Sequence, residues 1–416
     1  MNPHLLGFRC SQCDAHYAPD QVRYTCPKDN ANLDAVYDYA HMARDLDPWQ
    51  IARRADRSIW HYAELLPIGL DAHLPTPLST LGWSPLYRAP ALERALGVRA
   101  VWLKDDSRLP SASFKDRASA MVIARAKAMG IKTICVASTG NAAAALAALC
   151  AGSDLQAVIF VPESTPEGKL ISMLIHGARV YLMHGSYNDA VALANEACQA
   201  FGWYNRSTGF NPYTREGKKT AGFEIAEQLA QISNNAASPF RAPDVVIVPV
   251  GDGNIISGVY KGFHELHALG WITRVPRFLG VTAALSPSLY RAWQSGGETF
   301  DTIPSRTIAG GIGTDRPCDG VMALRAVRNS SGMLLEATDE EMLEGVRILA
   351  EQTGVFVEPS CAAAYVGLVK ARQMGLIAPD EEVVLQLTGS GFKDIRSALR
   401  AAGQPIPVRS LADVRP

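Results

Sequence analysis

Lys115 is the residue of this chain whose type and surroundings point most directly to chemistry. It stands in the run Ser-Phe-Lys-Asp-Arg at 113–117, after a loop of small residues and before an alanine-rich segment that predicts a helix ending at Gly130. The lysine is therefore expected in the first helical turn, where the positive end of the helix dipole favours a neutral amine. A neutral lysine amine can attack a carbonyl and form a Schiff base. The alternative is a solvated helix lysine.

Three further turns rich in glycine and hydroxyl or amide side chains follow β-branched apolar runs. They lie at 138–141, 251–254 and 388–391, and the first two lead directly into helical patterns. Where a strand ends and a helix begins, free backbone N–H groups point at a bound anion. Two such turns predict sites for a cofactor phosphate and a substrate carboxylate. The third offers the Thr388 hydroxyl to a heterocycle nitrogen.

The elements that must hold these turns alternate between strand and helix. Strand-like apolar runs occur at 134–137, 157–161, 179–183, 245–250, 278–282 and 383–387. This alternation predicts an α/β fold of two lobes, with open, mainly parallel sheets covered by helices on both faces. A chain of 416 residues is long enough for two such lobes and a small N-terminal appendage.

Several motifs beyond the lysine run carry a resemblance to a known family. They are Ser-Thr-Gly-Asn at 138–141, Asn-Pro-Tyr at 211–213, Glu-Gly-Lys-Lys-Thr at 216–220, Pro-Val-Gly at 249–251, Glu-Pro-Ser at 358–360 and Leu-Thr-Gly at 387–389. In type and order the chain resembles pyridoxal-phosphate (PLP) enzymes of the tryptophan-synthase-β structural family, fold type II, and most of all the threonine synthase family. The resemblance spans roughly residues 75–400.

The resemblance implies a cofactor site. Lys115 would carry PLP as a Schiff base, Asn141 would bind the ring oxygen, and Thr388 would face the pyridine nitrogen. The cofactor phosphate would be wrapped, mostly by backbone N–H groups, by Gly251, Asp252, Gly253, Asn254 and Ile255. Because a carboxylate repels a phosphate, we expect the Asp252 side chain to turn outward.

The resemblance also implies a substrate site, where Ser138 and Thr139 would take the substrate carboxylate. The family grips the phosphate of O-phosphohomoserine with an Asn-Ser pair and an arginine. In this chain Thr208, Gly209 and Thr214 stand at those positions. We therefore expect another cation to replace the arginine, and Arg206 and Arg215 are the nearest candidates. Ser-Ala at 111–112 also replaces the usual Thr-Gly, a small change in volume and polarity.

The N-terminal region carries three cysteines that resemble the zinc ribbon of some threonine synthases. Cys10 and Cys13 form one knuckle and Cys26 begins a second, in which Asp29 stands where a fourth cysteine is usual. Three thiolates with either Asp29 or His16 can bind zinc. A metal-free vestige and an ordinary reduced cysteine cluster are the alternatives. We expect a ribbon-like segment at 1–40, a helical arm at 41–72 and a catalytic region at 73–410, with a smaller lobe inserted at about 118–205.

Composition indicates the cellular compartment and the kinds of ligand to expect. The other five cysteines show no pairing pattern, and the first nine residues lack the features of a signal peptide, so we expect a cytoplasmic protein. No apolar run approaches the length of a membrane span. A net charge of −1 provides no basic field for nucleic acid, so the ligand is expected to be a small molecule. The resemblance implies that it is an amino acid. The family usually forms homodimers, and we expect one here.

Three classes of function follow. The first is a PLP-dependent lyase converting O-phospho-L-homoserine and water to L-threonine and phosphate. The second is β-elimination or β-replacement on another amino acid, as in cysteate synthases, ammonia-lyases or dehydratases, and the altered phosphate clamp favours it. The third is a nicotinamide dehydrogenase, which the glycine spacing at 251–258 disfavours. Glu224 and Glu358 either lie near the cofactor ring or serve packing.

Overall fold

The computed structural model describes residues 1–68, 77–410 and 413–414. The predicted boundary between helical arm and catalytic region, at 72 and 73, lies outside them. In chain order the strands are β1 (Leu5–Cys10), β2 (His16–Tyr17), β3 (Leu33–Tyr37), β4 (Leu86–Arg88), β5 (Ala100–Asp105), β6 (Thr133–Ala137), β7 (Gln156–Pro162), β8 (Arg179–Met183), β9 (Tyr204–Asn205), β10 (Val245–Pro249), β11 (Arg277–Ala283), β12 (Met333–Ala337) and β13 (Glu382–Leu387).

The helices alternate with these strands, as predicted. They are α1 (Tyr39–Asp45), α2 (Pro48–Ala52), α3 (Pro90–Leu96), α4 (Lys115–Ala128), α5 (Asn141–Cys150), α6 (Glu167–Leu174), α7 (Tyr187–Phe201), α8 (Tyr213–Lys218), α9 (Thr220–Ile232), α10 (Asn254–Ala268), α11 (Ser288–Gln294), α12 (Gly320–Asn329), α13 (Asp339–Thr353), α14 (Pro359–Gln373) and α15 (Ile395–Ala401). Lys115 is the first residue of α4, in agreement with its predicted place in the first turn.

Two open sheets form the catalytic part of the chain. The larger has the order β12-β11-β10-β13-β5-β4, and all its neighbours pair in parallel except the edge strand β4. The smaller has the order β8-β7-β6-β9 and is wholly parallel. Every residue of β5, β10 and β13 is buried, as expected where helices cover both faces of a parallel sheet. The expected α/β architecture is confirmed.

The predicted strand runs all appear, but the sequence patterns missed four strands. β5 was missed because its last two residues, Lys104 and Asp105, leave an apolar run of only four residues, although both side chains are buried. β4, β9 and β12 were also missed; β4 and β9 have only 3 and 2 residues. Buried polar residues within a strand conceal the apolar pattern on which such predictions rest.

The N-terminal strands form an antiparallel ribbon that packs on the catalytic part. Their order is β2-β1-β3. The Tyr37 hydroxyl donates to Glu216 Oε2 at 2.6 Å, and Asn32 Nδ2 donates to the Cys318 carbonyl at 2.6 Å and to Asp319 Oδ1 at 2.8 Å. The ribbon therefore contacts the catalytic part of the chain at Glu216, Cys318 and Asp319.

Helices α8 and α9 carry charged side chains through the centre of the protein. Five of these are buried, and so is Lys219 between the two helices; the five are Arg215, Glu216, Lys218, Glu224 and Glu227. A buried charge is costly unless an opposite charge or several hydrogen bonds compensate it. Glu227 accordingly accepts from the Tyr62 hydroxyl at 2.9 Å and contacts His61 Nε2 at 3.0 Å. Helices α8 and α9 can be buried only because other side chains compensate their charges.

Glu224 is the centre of one such buried ion cluster. Its carboxylate accepts from Lys104 Nζ at 2.6 Å and from two Arg117 nitrogens at 2.6 and 2.7 Å, and Arg117 also pairs with Asp106 at 2.8 Å. Glu224 thus joins β5, α4 and α9. Of the two roles left open by the sequence, the structure gives it the packing role.

We predict that Glu224→Gln lowers the free energy of unfolding by about 3 to 5 kcal/mol, because it leaves Lys104 and Arg117 buried with less compensation. Burial alone would raise the pKa of Glu224, but Arg117 and Lys104 outweigh it and hold the pKa at about 2, below the ordinary 4.5. The contribution is therefore complete above about pH 4.5 and is lost as the pH falls toward 2.

Reversible denaturant unfolding at neutral and acidic pH measures this difference. The matched control is Glu344→Gln, whose carboxylate pairs with Arg347 on the exposed surface of α13 and should cost less than about 1 kcal/mol. Equal losses in the two variants at neutral pH would show that the buried cluster contributes no more than a surface pair.

Candidate active site

The loop before Lys115 is held against the turn that follows β13. Phe114 N donates to the Thr388 carbonyl at 3.0 Å, and Ser390 N donates to the Ala112 carbonyl at 3.1 Å. Ser113 and Gly389 form an isolated antiparallel bridge between these two hydrogen bonds. Two motifs about 270 residues apart in sequence are therefore joined by backbone hydrogen bonds, so the start of α4 and the Leu-Thr-Gly turn form one unit.

Ala112 adopts a left-handed backbone conformation in this loop, with φ of +57°. That region favours glycine, because a Cβ atom there approaches the following carbonyl. The replacement of the family's glycine by Ala112 is small in volume and polarity, as the sequence indicated, but its cost lies in the backbone. Hydrogen bonding of the Ala112 carbonyl to Ser390 helps to hold the strained conformation.

The pKa of the Lys115 amine is lowered by its surroundings. Its side chain lines a cavity, and burial lowers the pKa of its amine; the nearby Arg206 guanidinium lowers it further, while the Glu358 carboxylate acts in the opposite direction. Burial is the largest of these causes. An amine with a lowered pKa is a nucleophile and a base near neutral pH.

The cavity lies where α4, α8 and α10 converge. The residues around it are Lys115, Thr208, Lys218, 249–256 and Gly311. The turn after β10 approaches its neighbours closely: a Cβ atom on Gly251 would lie 2.7 Å from the Ile312 Cα, and one on Gly253 would lie 2.7 Å from the Ala323 Cβ. Only glycine at these two positions leaves the turn room to curve around a ligand.

Asp252 turns its carboxylate toward another loop, in the outward direction that the sequence predicts. Its Oδ1 accepts from the Thr314 hydroxyl at 3.2 Å. Asn254 begins α10, and its side chain contacts Lys218 Nζ through Oδ1 at 2.6 Å and Asp319 Oδ2 through Nδ2 at 2.8 Å. Backbone N–H groups of the first turn of α10 lack partners within the helix, as at any helix start, and follow the glycine turn directly.

Glu358 contacts Asn141 and the turn at Thr388. The sequence left the role of Glu358 undecided. Asn141, the first residue of α5, donates to Glu358 Oε1 at 2.9 Å, and the Glu358 amide donates to the Gly389 carbonyl at 3.1 Å. Burial raises the pKa of Glu358, and Lys393 and Lys115 oppose that rise. Asn141, Glu358 and the turn at Thr388 are thereby connected to one another.

Ser138 and Thr139 lie in the short turn between β6 and α5. Both are half-buried, and the Ser138 hydroxyl accepts from the Gly140 amide at 3.2 Å. The turn therefore presents hydroxyl groups beside the helix start at Asn141. This is the place where the sequence predicted a substrate carboxylate.

The two candidate arginines occupy different surroundings. Arg215 is bound by two carboxylates, with Nη2 at 2.5 Å from Asp319 Oδ1 and Nη1 at 3.1 Å from Asp34 Oδ1. Arg206 is fully buried and, among the residues that the structure describes, donates only to uncharged acceptors: the Thr208 hydroxyl at 2.8 Å, the Ser119 hydroxyl at 3.0 Å and the Lys115 carbonyl at 3.4 Å. Burial lowers the pKa of Arg206 to about 10. The structure places Arg206 behind Thr208 and Lys115, whereas Arg215 supports Asp319.

Lys218 lines the cavity and was missed by the sequence reasoning. The available signal was its helical spacing: the residues three and four positions away on either side are Thr214, Arg215, Ala221 and Gly222, none of which is acidic. Its neighbour Lys219, by contrast, has Glu216 three residues earlier and pairs with it at 2.6 Å.

The predicted metal ligands converge at one end of the ribbon. The ligand atoms of Cys10, Cys13, Cys26 and Asp29 all lie within 4.8 Å of one another. Gln12 and Cys13 direct backbone N–H groups at the Cys10 sulfur, at 3.3 and 3.5 Å. His16, the alternative ligand, is exposed and lies outside this group.

Within the described ranges, no helix combines the length and apolar character needed to cross a membrane.

Comparisons with known proteins agree with this geometry. The threonine synthase of Methanosarcina acetivorans is 35% identical over 411 residues, covering 98% of this chain and 97% of the relative. That of Methanocaldococcus jannaschii is 34% identical and covers 96% of each chain. That of Mycobacterium tuberculosis is 35% identical and covers 85% of this chain and 93% of its own.

Solved structures show the same fold at lower identity. The processed form of threonine deaminase isoform 2 from Solanum lycopersicum matches with a TM-score of 0.62 and 21% identity, over 77% of this chain and 83% of that one. Diaminopropionate ammonia lyase from Escherichia coli matches with a TM-score of 0.65 and 18% identity, over 85% and 90%. The family model described as pyridoxal-phosphate dependent enzyme matches residues 78–389. The chain therefore belongs to the pyridoxal-phosphate dependent enzymes, with threonine synthases as relatives along nearly its whole length.

Proposed function

We propose that this enzyme is a threonine synthase, which converts O-phospho-L-homoserine and water to L-threonine and phosphate. The observation that carries the proposal is the cavity in which a lysine of lowered pKa, a glycine turn at a helix start and buried cations meet. Curated relatives that cover 96 to 98% of the chain bear that name. The same cavity explains why a phosphorylated substrate suits this chain.

The residues around the cavity fit pyridoxal phosphate. Glycines at 251 and 253 leave space that a Cβ atom would fill, and the start of α10 supplies backbone N–H groups to a phosphate. We assign the phosphate contacts to the amides of 251–255, the ring oxygen to Asn141 and the pyridine nitrogen to Thr388. A neutral threonine hydroxyl does not hold that nitrogen protonated as a carboxylate would.

Bound pyridoxal phosphate supplies an aldehyde that condenses with amines and a ring that stores the electron pair released at the substrate α carbon. Lys115 is the proposed base: its amine takes the proton from Cα and then moves protons at Cβ and Cγ, while phosphate leaves Cγ and water adds its oxygen at Cβ. Its lowered pKa keeps an unprotonated fraction available for these steps. A single amine serving several transfers agrees with the few other acid or base groups facing the cavity.

Two groups orient the substrate in this proposal. Ser138, Thr139 and the amides after Asn141 receive the carboxylate, as the start of α5 allows. The Thr208 hydroxyl, at the cavity and hydrogen-bonded to Arg206, receives the phosphate with that cation behind it. Arg215 is committed to Asp34 and Asp319, so it serves as a support for the site.

The second candidate is β-elimination or β-replacement on another amino acid. Thr208, Gly209 and Thr214 still replace the family's clamp, and the Thr214 hydroxyl is used up by the Asn211 carbonyl at 2.7 Å. A shorter phosphorylated amino acid would use the same cavity. We further propose that the enzyme works in a reducing, cytoplasmic setting, since none of its eight cysteines forms a disulfide. We also propose a homodimer, as the resemblance to the threonine synthase family implies.

We also propose that the ribbon holds one structural zinc ion through Cys10, Cys13, Cys26 and Asp29. Three sulfurs and a carboxylate oxygen, each within 4.8 Å of the others, match the donors and spacing of a tetrahedral zinc site. The amides of Gln12 and Cys13 that point at the Cys10 sulfur would stabilise a thiolate.

The proposed activity is tested by incubating the holoenzyme with O-phosphohomoserine in ¹⁸O-labelled water. We predict threonine carrying the label in its hydroxyl group, with one phosphate released per threonine. O-Phosphoserine and serine, offered separately, test the second candidate. Lys115→Ala should abolish turnover, and borohydride reduction of the wild type should leave a pyridoxyl group on Lys115. Turnover of O-phosphoserine without threonine formation would replace the first candidate by the second, and an adduct on Lys104 would refute the lysine assignment.

The zinc proposal predicts about one zinc per chain, lost when Cys10 and Cys13 are both replaced by serine. Because zinc binding is coupled to folding, hydrogen exchange of the strands at 5–37 should accelerate in that variant. Elemental analysis and exchange mass spectrometry provide the readouts, and Cys150→Ala, outside the ribbon, is the control. Zinc-free protein from a zinc-replete, chelator-free preparation would contradict the site.

A further inference from the structure

Lys218 is the exception among the buried charges of α8 and α9. Arg215, Glu216, Lys219 and Glu224 each form an ion pair inside the protein. Lys218 is fully buried too, yet it pairs with no carboxylate in the part of the chain that the structure describes. A buried ammonium without an opposite charge is costly, and proteins retain one where a ligand supplies that charge.

The surroundings of Lys218 leave only a neutral partner. Its Nζ donates to Asn254 Oδ1 at 2.6 Å, and the same amide is oriented by Nδ2, which donates to Asp319 at 2.8 Å. The Asp319 carboxylate is engaged by Arg215 at 2.5 Å. Asp252 turns toward Thr314. The Lys218 ammonium therefore has N–H groups without an acceptor among the described residues. A ligand in the cavity can accept hydrogen bonds from them.

Packing fixes the position of this lysine beside the glycine turn. A Cβ atom on Gly258 would lie 2.7 Å from the Lys218 Cβ, so α8 and α10 are in close contact at this point. Burial lowers the pKa of Lys218 well below its usual value, and Lys115 and Arg206 lower it further. Three basic groups thus share one region, where an anion would relieve the repulsion among them.

We propose that Lys218 is a phosphate-binding residue, whose ammonium closes an anion site with the amides at the start of α10. The inference rests on the proposed function, because that reaction brings two phosphate monoesters to the cavity, on the cofactor and on the substrate. A charge-assisted hydrogen bond from a buried lysine strengthens the binding of either one. Lys218 also supplies a cation that the altered clamp sequence lacks.

Two titrations on Lys218→Gln distinguish the two phosphates. Apoprotein is titrated with pyridoxal phosphate by fluorescence, and holoenzyme is titrated with inorganic phosphate by calorimetry. We expect one of the two dissociation constants to rise roughly 10-fold to 100-fold, as loss of a charged hydrogen bond implies. A change in the first assigns Lys218 to the cofactor phosphate, and a change in the second assigns it to the substrate phosphate. Lys218→Arg should recover most of the lost affinity.

Arg316→Gln is the matched control, because it removes an exposed cation a short distance along the chain from Asp319 and should leave both constants unchanged. Wild-type affinities for both pyridoxal phosphate and inorganic phosphate in Lys218→Gln would overturn the inference. Loss of phosphate affinity in a protein that makes no threonine would leave Lys218 assigned and remove the proposed function instead.

Discussion

The compensation of buried charge on α8 and α9 is the constraint on which the rest of the structure depends. These helices cross the protein interior with charged side chains that need partners from elsewhere. Lys104 and Arg117 form ion pairs with Glu224. Asp319 and Asp34 form ion pairs with Arg215. Glu265 pairs with Lys219 at 2.9 Å. Each pair joins a different element to the same helices, so ribbon, large sheet and cleft are positioned together.

The same compensation of buried charge positions the residues around the cavity. Asp319, held by Arg215, orients the Asn254 amide, and Asn254 in turn meets Lys218 at the start of α10. On the other side, backbone hydrogen bonds join the Lys115 loop to the turn at Thr388. The ribbon contributes to the first arrangement through Asn32 and Asp34, which contact Asp319 and Arg215. A small N-terminal segment thereby supports residues that face the cavity.

Local patterns in the sequence predicted much of this architecture, because parallel strands followed by glycine turns are encoded within a few residues. The six apolar strand runs and the helix start at Lys115 are examples. Partner choice between distant residues is not encoded locally. Arg206 and Arg215 look alike in sequence, and only the fold shows that Asp34 and Asp319 take the second. The strain at Ala112 and the unpaired charge of Lys218 likewise depend on tertiary contacts.

We propose that the uncompensated cations around this cavity select a phosphorylated substrate. The most direct measurement compares kcat/KM of the holoenzyme for O-phosphohomoserine and for O-acetylhomoserine, which has the same carbon chain and carries an uncharged acetyl ester in place of the phosphate dianion. Charge-assisted binding predicts a preference for the phosphate ester of at least about 100-fold. Equal values for the two esters, within about threefold experimental scatter, would contradict the claim.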